Sequence, residues 1–294
     1  MTTTLLTTPP AAPTTAPIRQ NRSHDDGYGL VELQNVGGRT RAVRALAHSP
    51  LKILNPCGSG RSAALYATTL GGGLVAGDRI HIDLRAGPDT TTLWTTQSAT
   101  KVYRSYLNES CSQTLDATLA DGALLVAWPD PLICFAGSIY EQSQSFHLSA
   151  NASLVLVDCL TSGRRARGER WAFARYRSRN RIWVDDDLVL EDALLLDAAD
   201  GALDRPFRMG RFEAFATVIL AGPSIQNQAQ RIFSEVESER LHRRSEFLCS
   251  ASPFRTGVIL RVLSQDPEAV THYIRAKLAP IIARLDHDPF ARKW

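Results

Sequence analysis

Apolar and polar residues alternate with a period of two along most of this 294-residue chain, the signature of half-buried strands. Ile80, Ile82 and Leu84 alternate with His81, Asp83 and Arg85; Leu115, Ala117 and Leu119 alternate with polar neighbours; residues 171–183 repeat the pattern. Residues 29–36 and 40–48, separated by Gly37-Gly38, read as a hairpin. Further strands are predicted at 51–55, 63–70, 90–97, 123–128, 138–148, 153–159, 189–196, 211–220 and 256–263. Ala86-Gly87-Pro88-Asp89 and Asp121-Gly122 are turns, and Trp128-Pro129-Asp130-Pro131 must interrupt a strand because proline removes a donor and fixes its own φ.

Helical periodicity is confined to two stretches. Residues 224–237 read as one helix, with Ser224 as its cap. Residues 267–285 are the clearer case: Val270, Ile274, Leu278, Ile281, Ile282 and Leu285 share a face, Asp266-Pro267-Glu268 forms a start, and Pro280 predicts a kink. The expected fold is mainly β, many short strands in stacked or twisted sheets with two helices, and with neither a βαβ rhythm nor an internal repeat. Residues 25–294 read as a single domain; residues 1–24, rich in Thr, Pro and Ala, read as a disordered tail.

Composition narrows the function classes. A net charge of +3 is spread over 33 bases and 30 acids, which makes no electrostatic case for nucleic acid. Five cysteines at scattered spacings indicate neither a disulfide framework nor a zinc knuckle. With no signal-like start and no apolar run that could span a bilayer, a cytoplasmic location is expected.

The densest local signal is Gly71-Gly72-Gly73-Leu74-Val75-Ala76-Gly77-Asp78. A strand follows it, whereas a phosphate cradle feeds a helix, so these glycines shape a sheet turn. The seven histidines show no ligand spacing, and no metal triad or nucleophile motif is legible. His81 stands on the polar side of its strand, where a solvated residue is the ordinary reading. Cys134 and Cys159 lie in apolar runs and read as small buried hydrophobes. Asp158 and Glu191 interrupt apolar runs: each is either exposed at a strand end or buried and in need of a partner, a metal or water. Asp78 can bond its own turn. Residues 95–101 are polar where a strand should continue, so this segment is an exposed edge or lines something wet.

Three long motifs, Gly71 to Arg79, Thr95 to Arg104 and Pro129 to Ser138, resemble in order and spacing those of the urease accessory protein UreD (UreH) family. Gly163-Arg164-Arg165-Ala166-Arg167-Gly168-Glu169 looks like that family's Gly-Arg-x-x-x-Gly-Glu turn, and residues 257–285 look like its C-terminal segment. The resemblance implies a non-catalytic scaffold that binds apo-urease with UreF and the GTPase UreG, allows a homodimer within the accessory complex, and assists nickel insertion. It further implies a water-filled passage, whose polar positions carry over to Asp78, Thr100, Asp158 and Glu191. Gly72, Gly73, Gly77, Lys101, Tyr103, Arg104, Asp130, Gly137, Gly163, Arg164 and Glu169 carry over as structural or partner-contacting motif residues. No cofactor is expected to be held tightly and no fixed metal site is expected, only transient Ni²⁺ on replaceable oxygen ligands. Cys134 and Ser98 depart from the family pattern, where proline and alanine are expected. The competing readings are a β-rich hydrolase using Asp78 and Asp158 as acid and base, and a β-sandwich binding module with a flat aromatic face.

Overall fold

The computed structural model describes residues 26–56, 60–240, 242, 244–286 and 288; the expected tail and Cys57 lie outside them. Strands β1 (Gly27–Val36) and β2 (Arg39–His48) form the expected hairpin. Gly37 and Gly38 both take positive φ there, the conformation a two-residue hairpin turn requires. Strands β3 (Leu51–Leu54) and β4 (Ala63–Thr69) follow.

From there the chain winds between two sheets. Strand β5 (Arg79–Ala86) lies in the first, β6 (Thr91–Thr96) in the second, β8 (Cys111–Leu119) in the first, β9 (Leu124–Ala127) in the second, β11 (Ile139–Leu148) in the first and β12 (Ser153–Thr161) in the second. The short β7 (Lys101–Val102) and β10 (Leu132–Cys134) sit on the return connections. Strands β13 (Arg175–Val184) and β14 (Asp187–Asp197) close the first sheet, in the order β14-β13-β11-β8-β5-β1-β2. Then come β15 (Ala214–Ala221), helix α1 (Gln226–Ser238), β16 (Phe247–Phe254), β17 (Gly257–Ser264) and helix α2 (Pro267–Ile282). The second sheet runs β16-β17-β15-β12-β9-β6-β4-β3, with β7 and β10 alongside it.

Each lap returns to the same sheet running the same way, so β5, β8, β11 and β13 pair in parallel, as do β4, β6, β9 and β12. This is a two-sheet β-solenoid, in which the other sheet replaces the helix of a usual parallel crossover. A repeat therefore exists in the backbone although residue identity hides it. The turns at one corner stack by hydrogen bonds: Gly87 N–H donates to Leu33 O, Ala120 N–H to Ala86 O, Ser149 N–H to Leu119 O and Asp185 N–H to Leu148 O, all at 2.8–2.9 Å. Asp121-Gly122 is one of these corners and links two sheets, not a hairpin.

The main core lies between the sheets. Leu84, Ala117, Phe146 and Ile182 stand in one register row, all fully buried. The other face of the second sheet is covered by the helices, against which Leu93, Val126, Val155, Val157 and Val218 pack. In α2 the predicted face is the buried one, Asp266 accepts from the Glu268 N–H at 3.0 Å, and Pro280 stands in the last turn, where the helix ends. Ser224 does not cap α1. It belongs to a preceding 3-10 turn at Pro223–Ile225, and its N–H donates to Ser153 Oγ, so Ile225 takes the cap position without a side-chain bond. The strand predicted at 171–183 begins only at Arg175, because Trp171 takes a positive φ and donates its indole N–H to Phe212 O.

Phe146 fills the centre of the inter-sheet core, so Phe146→Ala is expected to lower unfolding free energy by about 3–5 kcal/mol, read from the urea midpoint at unchanged m-value.

Candidate functional site

In-register stacking carries polar side chains into the sandwich in two adjacent rows. One is Ile80, Gln113, Gln142 and Ser178; the other is Ile82, Leu115, Gln144, Asn180 and Asp192. Facing them from the second sheet is a third row, Asp158, Thr217 and Arg261, on β12, β15 and β17. Ser178, Asn180 and Thr217 are buried and Asp192 is only 9% exposed.

Asp158 is the centre of this group. Its Oδ2 accepts from Gln142 Nε2 at 2.5 Å and from Ser178 Oγ at 3.3 Å, while Gln144 Nε2 donates to Asn180 Oδ1 at 3.0 Å. Across the group, Arg261 donates to Asp192 Oδ1 at 2.5 Å. Asp158 as a residue is only partly buried, but its carboxylate is enclosed between the sheets. Burial pushes its pKa from an ordinary 3.8 up to about 6, and the charge of Asp192 adds to the rise. The hydrogen bonds of Ser178, Gln142 and Asn180 oppose it. The Asp158 carboxyl is met only by neutral donors, while the Arg261 guanidinium is taken by Asp192. A cavity of ≈10 Å³, room for about one water, is lined by Asp158, Tyr176, Ser178, Asn180, Asp192 and Thr217 among others. A second pocket of ≈30 Å³ is lined by Thr96, Ser98, Thr100 and Gln113. Gln113 is the register neighbour of Gln142, which in turn bonds Asp158 and Ser178 of the smaller cavity.

The residues expected at a passage fall into different places. Asp158 is at the centre, and Thr100 lines the larger pocket. Asp78 sits in the turn two residues before Ile80, which lines the larger pocket, and its Oδ2 accepts from Val75 N–H at 2.8 Å. Its charge adds to burial in pushing the Cys111 thiol up to about 12. Glu191 is on the outer face of the first sheet, 3.2 Å from Arg179; its neighbour Asp192 points inward. Asp78 and Asp158 bond to separate sets of partners. Of the polar segment at 95–101, Thr96, Ser98, Ala99 and Thr100 line the larger pocket, while Gln97 and Lys101 are exposed.

The motif residues are successive laps of one solenoid edge. Leu74, β7 and β10 stack in parallel: Leu74 N–H donates to Lys101 O, Tyr103 N–H to Leu74 O, Ile133 N–H to Thr100 O and Phe135 N–H to Val102 O. Gly73 must be glycine, because a Cβ there would stand 2.6 Å from both Lys101 O and the Tyr103 ring. Tyr103 meets Phe135 edge-on at 5.2 Å, and Arg164 lies 3.8 Å over the other side of that ring. Arg164 also grips Glu169 with two hydrogen bonds and holds its carboxyl below the usual range, while Glu169 accepts from Ala136 N–H. Gly163, at φ +120°, would place a Cβ 3.2 Å from Cys134 O. Gly72, Gly77 and Gly137 occupy turns of the same edge, with Arg104 packed beside Gly137. The Asp130 backbone N–H donates to Thr96 Oγ1 at 2.8 Å. Lys101 is exposed. Cys134 is buried in β10 with its thiol pushed well above the usual range by burial, so it packs as a hydrophobe.

Fold and site together define a β-solenoid scaffold with an acid-and-amide interior and a four-lap glycine-aromatic edge. A family model described as UreD urease accessory protein matches residues 26–294, and the chain belongs to that family. It is 46% identical over 287 residues to a urease accessory protein UreD of Sorangium cellulosum (strain So ce56), covering 97% of this chain and 90% of that protein. A urease accessory protein UreD of Anaeromyxobacter sp. (strain Fw109-5) is 41% identical over 268 residues, 90% of this chain and 89% of its own. Urease accessory protein D of Arabidopsis thaliana is 36% identical over 293 residues, 90% of this chain and 99% of its own.

Two outcomes follow from this geometry. Gly73→Ala should cost about 1–3 kcal/mol in the urea midpoint, the range for forced overpacking. For Asp158, a raised folded pKa means that the native state binds more protons than the unfolded chain between about pH 4 and 6, so stability falls as pH rises through that window. At about 1.4 kcal/mol per pH unit the loss is about 3 kcal/mol. Asp158→Asn should remove it, so that the variant gains on the parent protein by about that amount between pH 4 and 8 in parallel urea titrations.

Proposed function

We propose that this chain is a non-catalytic scaffold of urease maturation, working with UreF and the GTPase UreG on apo-urease, in which the inter-sheet acids provide a transit path for Ni²⁺ as cargo. The observation that carries this reading is the Asp158 carboxyl group, enclosed between two sheets and met only by amide and hydroxyl donors. A charge so placed is costly unless a cation visits it. Oxygen ligands suit a path, because carboxylate, amide and water release a borderline cation readily, whereas imidazole or thiolate clusters retain it. Asp78 near the pocket-lining Ile80, Thr100 and Gln113 in the larger pocket, and Asp158 with Asp192 at the smaller cavity supply such oxygens. Membership of the UreD family supports the urease connection, and cytoplasmic action follows from that role. Among the described residues, no helix is long and apolar enough to cross a membrane.

The reading is tested by producing the chain with urease and its other accessory proteins and measuring urease activity and nickel content. Asp158→Asn combined with Asp192→Asn should reduce both to a minor fraction while leaving co-elution with UreF and capture of apo-urease intact. Glu191→Gln, on the outer face, should leave activation near the parent level. Full activation by the double variant would sink the path.

A further inference from the structure

The outer face of the first sheet carries acids that pair with arginine: Glu32 with Arg85 at 3.0 Å, Glu141 with Arg175 at 3.1 Å, and Glu191 with Arg179 at 3.2 Å. One pair of acids is different. Asp83 on β5 and Asp116 on β8 are direct register partners on that face, and like charges directly opposite are destabilising. Among the described residues neither makes a salt bridge to arginine or lysine. Both converge instead on His81, whose Nε2 is 2.8 Å from Asp83 Oδ1 and 3.7 Å from Asp116 Oδ2.

From these three side chains we infer a divalent-cation site on the outer face of the first sheet, formed by His81 Nε2 and one carboxylate oxygen each of Asp83 and Asp116. One donor atom of each residue lies within 4.8 Å of the other two. Donors bound at about 2.0–2.2 Å stand roughly 2.9–3.5 Å from one another in octahedral or tetrahedral arrangements; the 2.8 and 3.7 Å found bracket that range, so an ion needs only small side-chain shifts. All three donors rise from adjacent strands of a continuous parallel sheet, which fixes their spacing. Asp83 is further oriented from outside the triad: Tyr28 donates its hydroxyl to Asp83 Oδ2 at 2.8 Å, leaving Oδ1 to turn toward His81. Outer partners of this kind are a regular feature of metal-binding side chains. The Tyr28 ring is itself held between His81 and His48, with centroids 6.1 and 6.3 Å away.

The donor set states the ligand class. One imidazole and two carboxylates suit a first-row divalent ion from Co²⁺ to Zn²⁺, Ni²⁺ included, over Mg²⁺ or Ca²⁺, which prefer all-oxygen shells, and over Cu⁺, which prefers sulfur. Side-chain exposures of 27%, 26% and 43% for His81, Asp83 and Asp116 leave the site reachable from solvent, with positions for water or for a ligand from a partner protein. It lies on the opposite face of the sheet from Gln142 and Asp158, so it stands or falls separately from the interior path.

The test is titration of the purified full chain with NiCl₂ and with ZnCl₂, followed by calorimetry, together with Co²⁺ loading monitored by NMR. The parent protein should bind an ion that His81→Gln or Asp116→Asn eliminates or weakens by well over tenfold. Tyr28→Phe should weaken it by about tenfold, the low end for loss of an outer partner. Asp158→Asn should leave this binding event in place. In the unsubstituted protein Co²⁺ should shift the His81 imidazole resonances, a readout that needs no variant. Unchanged binding in His81→Gln and Asp116→Asn, or His81 resonances unmoved at saturating Co²⁺, would overturn the site.

Discussion

The in-register parallel stacking of successive laps is the constraint on which the rest of this protein depends. Once β5, β8, β11 and β13 are locked in register, each side chain is committed to a row and a face, and a one-residue slip would invert every strand. The rows then separate by polarity. Toward the corner where Gly87, Ala120 and Ser149 donate to the preceding lap, rows such as Leu84, Ala117, Phe146 and Ile182 are wholly apolar. Toward the opposite edge the rows acquire Gln113, Gln142, Ser178, Asn180 and Asp192. The sandwich is therefore dry at one end and polar at the other, with no break in backbone pairing between them.

The same constraint explains the glycine-rich edge. Short corners can be built from ordinary turn residues, but the return connections must approach one another closely enough for β7 and β10 to pair. Gly73 permits Leu74 to reach Lys101, and Gly163 permits the last lap to pass Cys134. Tyr103, Phe135 and Arg164 then stack across three laps, a cation and two rings in series, with Glu169 fixing the guanidinium. The contacts between laps join segments roughly thirty residues apart in sequence, which is why the motifs look like separate islands along the chain and form one surface in space.

What was legible in the sequence follows from the range of each interaction. Strand alternation, the Gly37-Gly38 hairpin and the α2 face with its Asp266 cap are local, and residue order alone reveals them. Parallel pairing is not local: nothing in the period-two pattern of β8 says whether β9 turns back beside it or crosses to another sheet, and Asp121-Gly122 suits either course. Ser224 has the chemistry of a cap, yet a tertiary bond to Ser153 displaces the helix start by two residues. At Glu191-Asp192 the two acids are adjacent, and an apolar run interrupted there cannot reveal which one faces inward. Register with Asn180 decides for Asp192. The His81, Asp83 and Asp116 group was hidden for a similar reason: two of its members are two residues apart, but the third arrives from the next lap.

Acids thus lie on both sides of the first sheet, Asp192 with Asp158 of the second sheet inside and Asp83 with Asp116 outside, and their chemistry differs with their surroundings. Inside, Asp158 is met by amides and hydroxyls and Asp192 by the Arg261 guanidinium, beside a space with room for about one water, where an imidazole would gain a proton only at high desolvation cost. Outside, water is plentiful, desolvation is slight, and an imidazole can join two carboxylates without being enclosed. A parallel sheet only one residue thick separates the two settings, and the alternation of side chains along β5, β8 and β11 assigns each residue to one or the other. Oxygen donors alone lie within and a nitrogen-containing triad without, and of the two sets the one with imidazole is the stronger ligand for a first-row divalent ion.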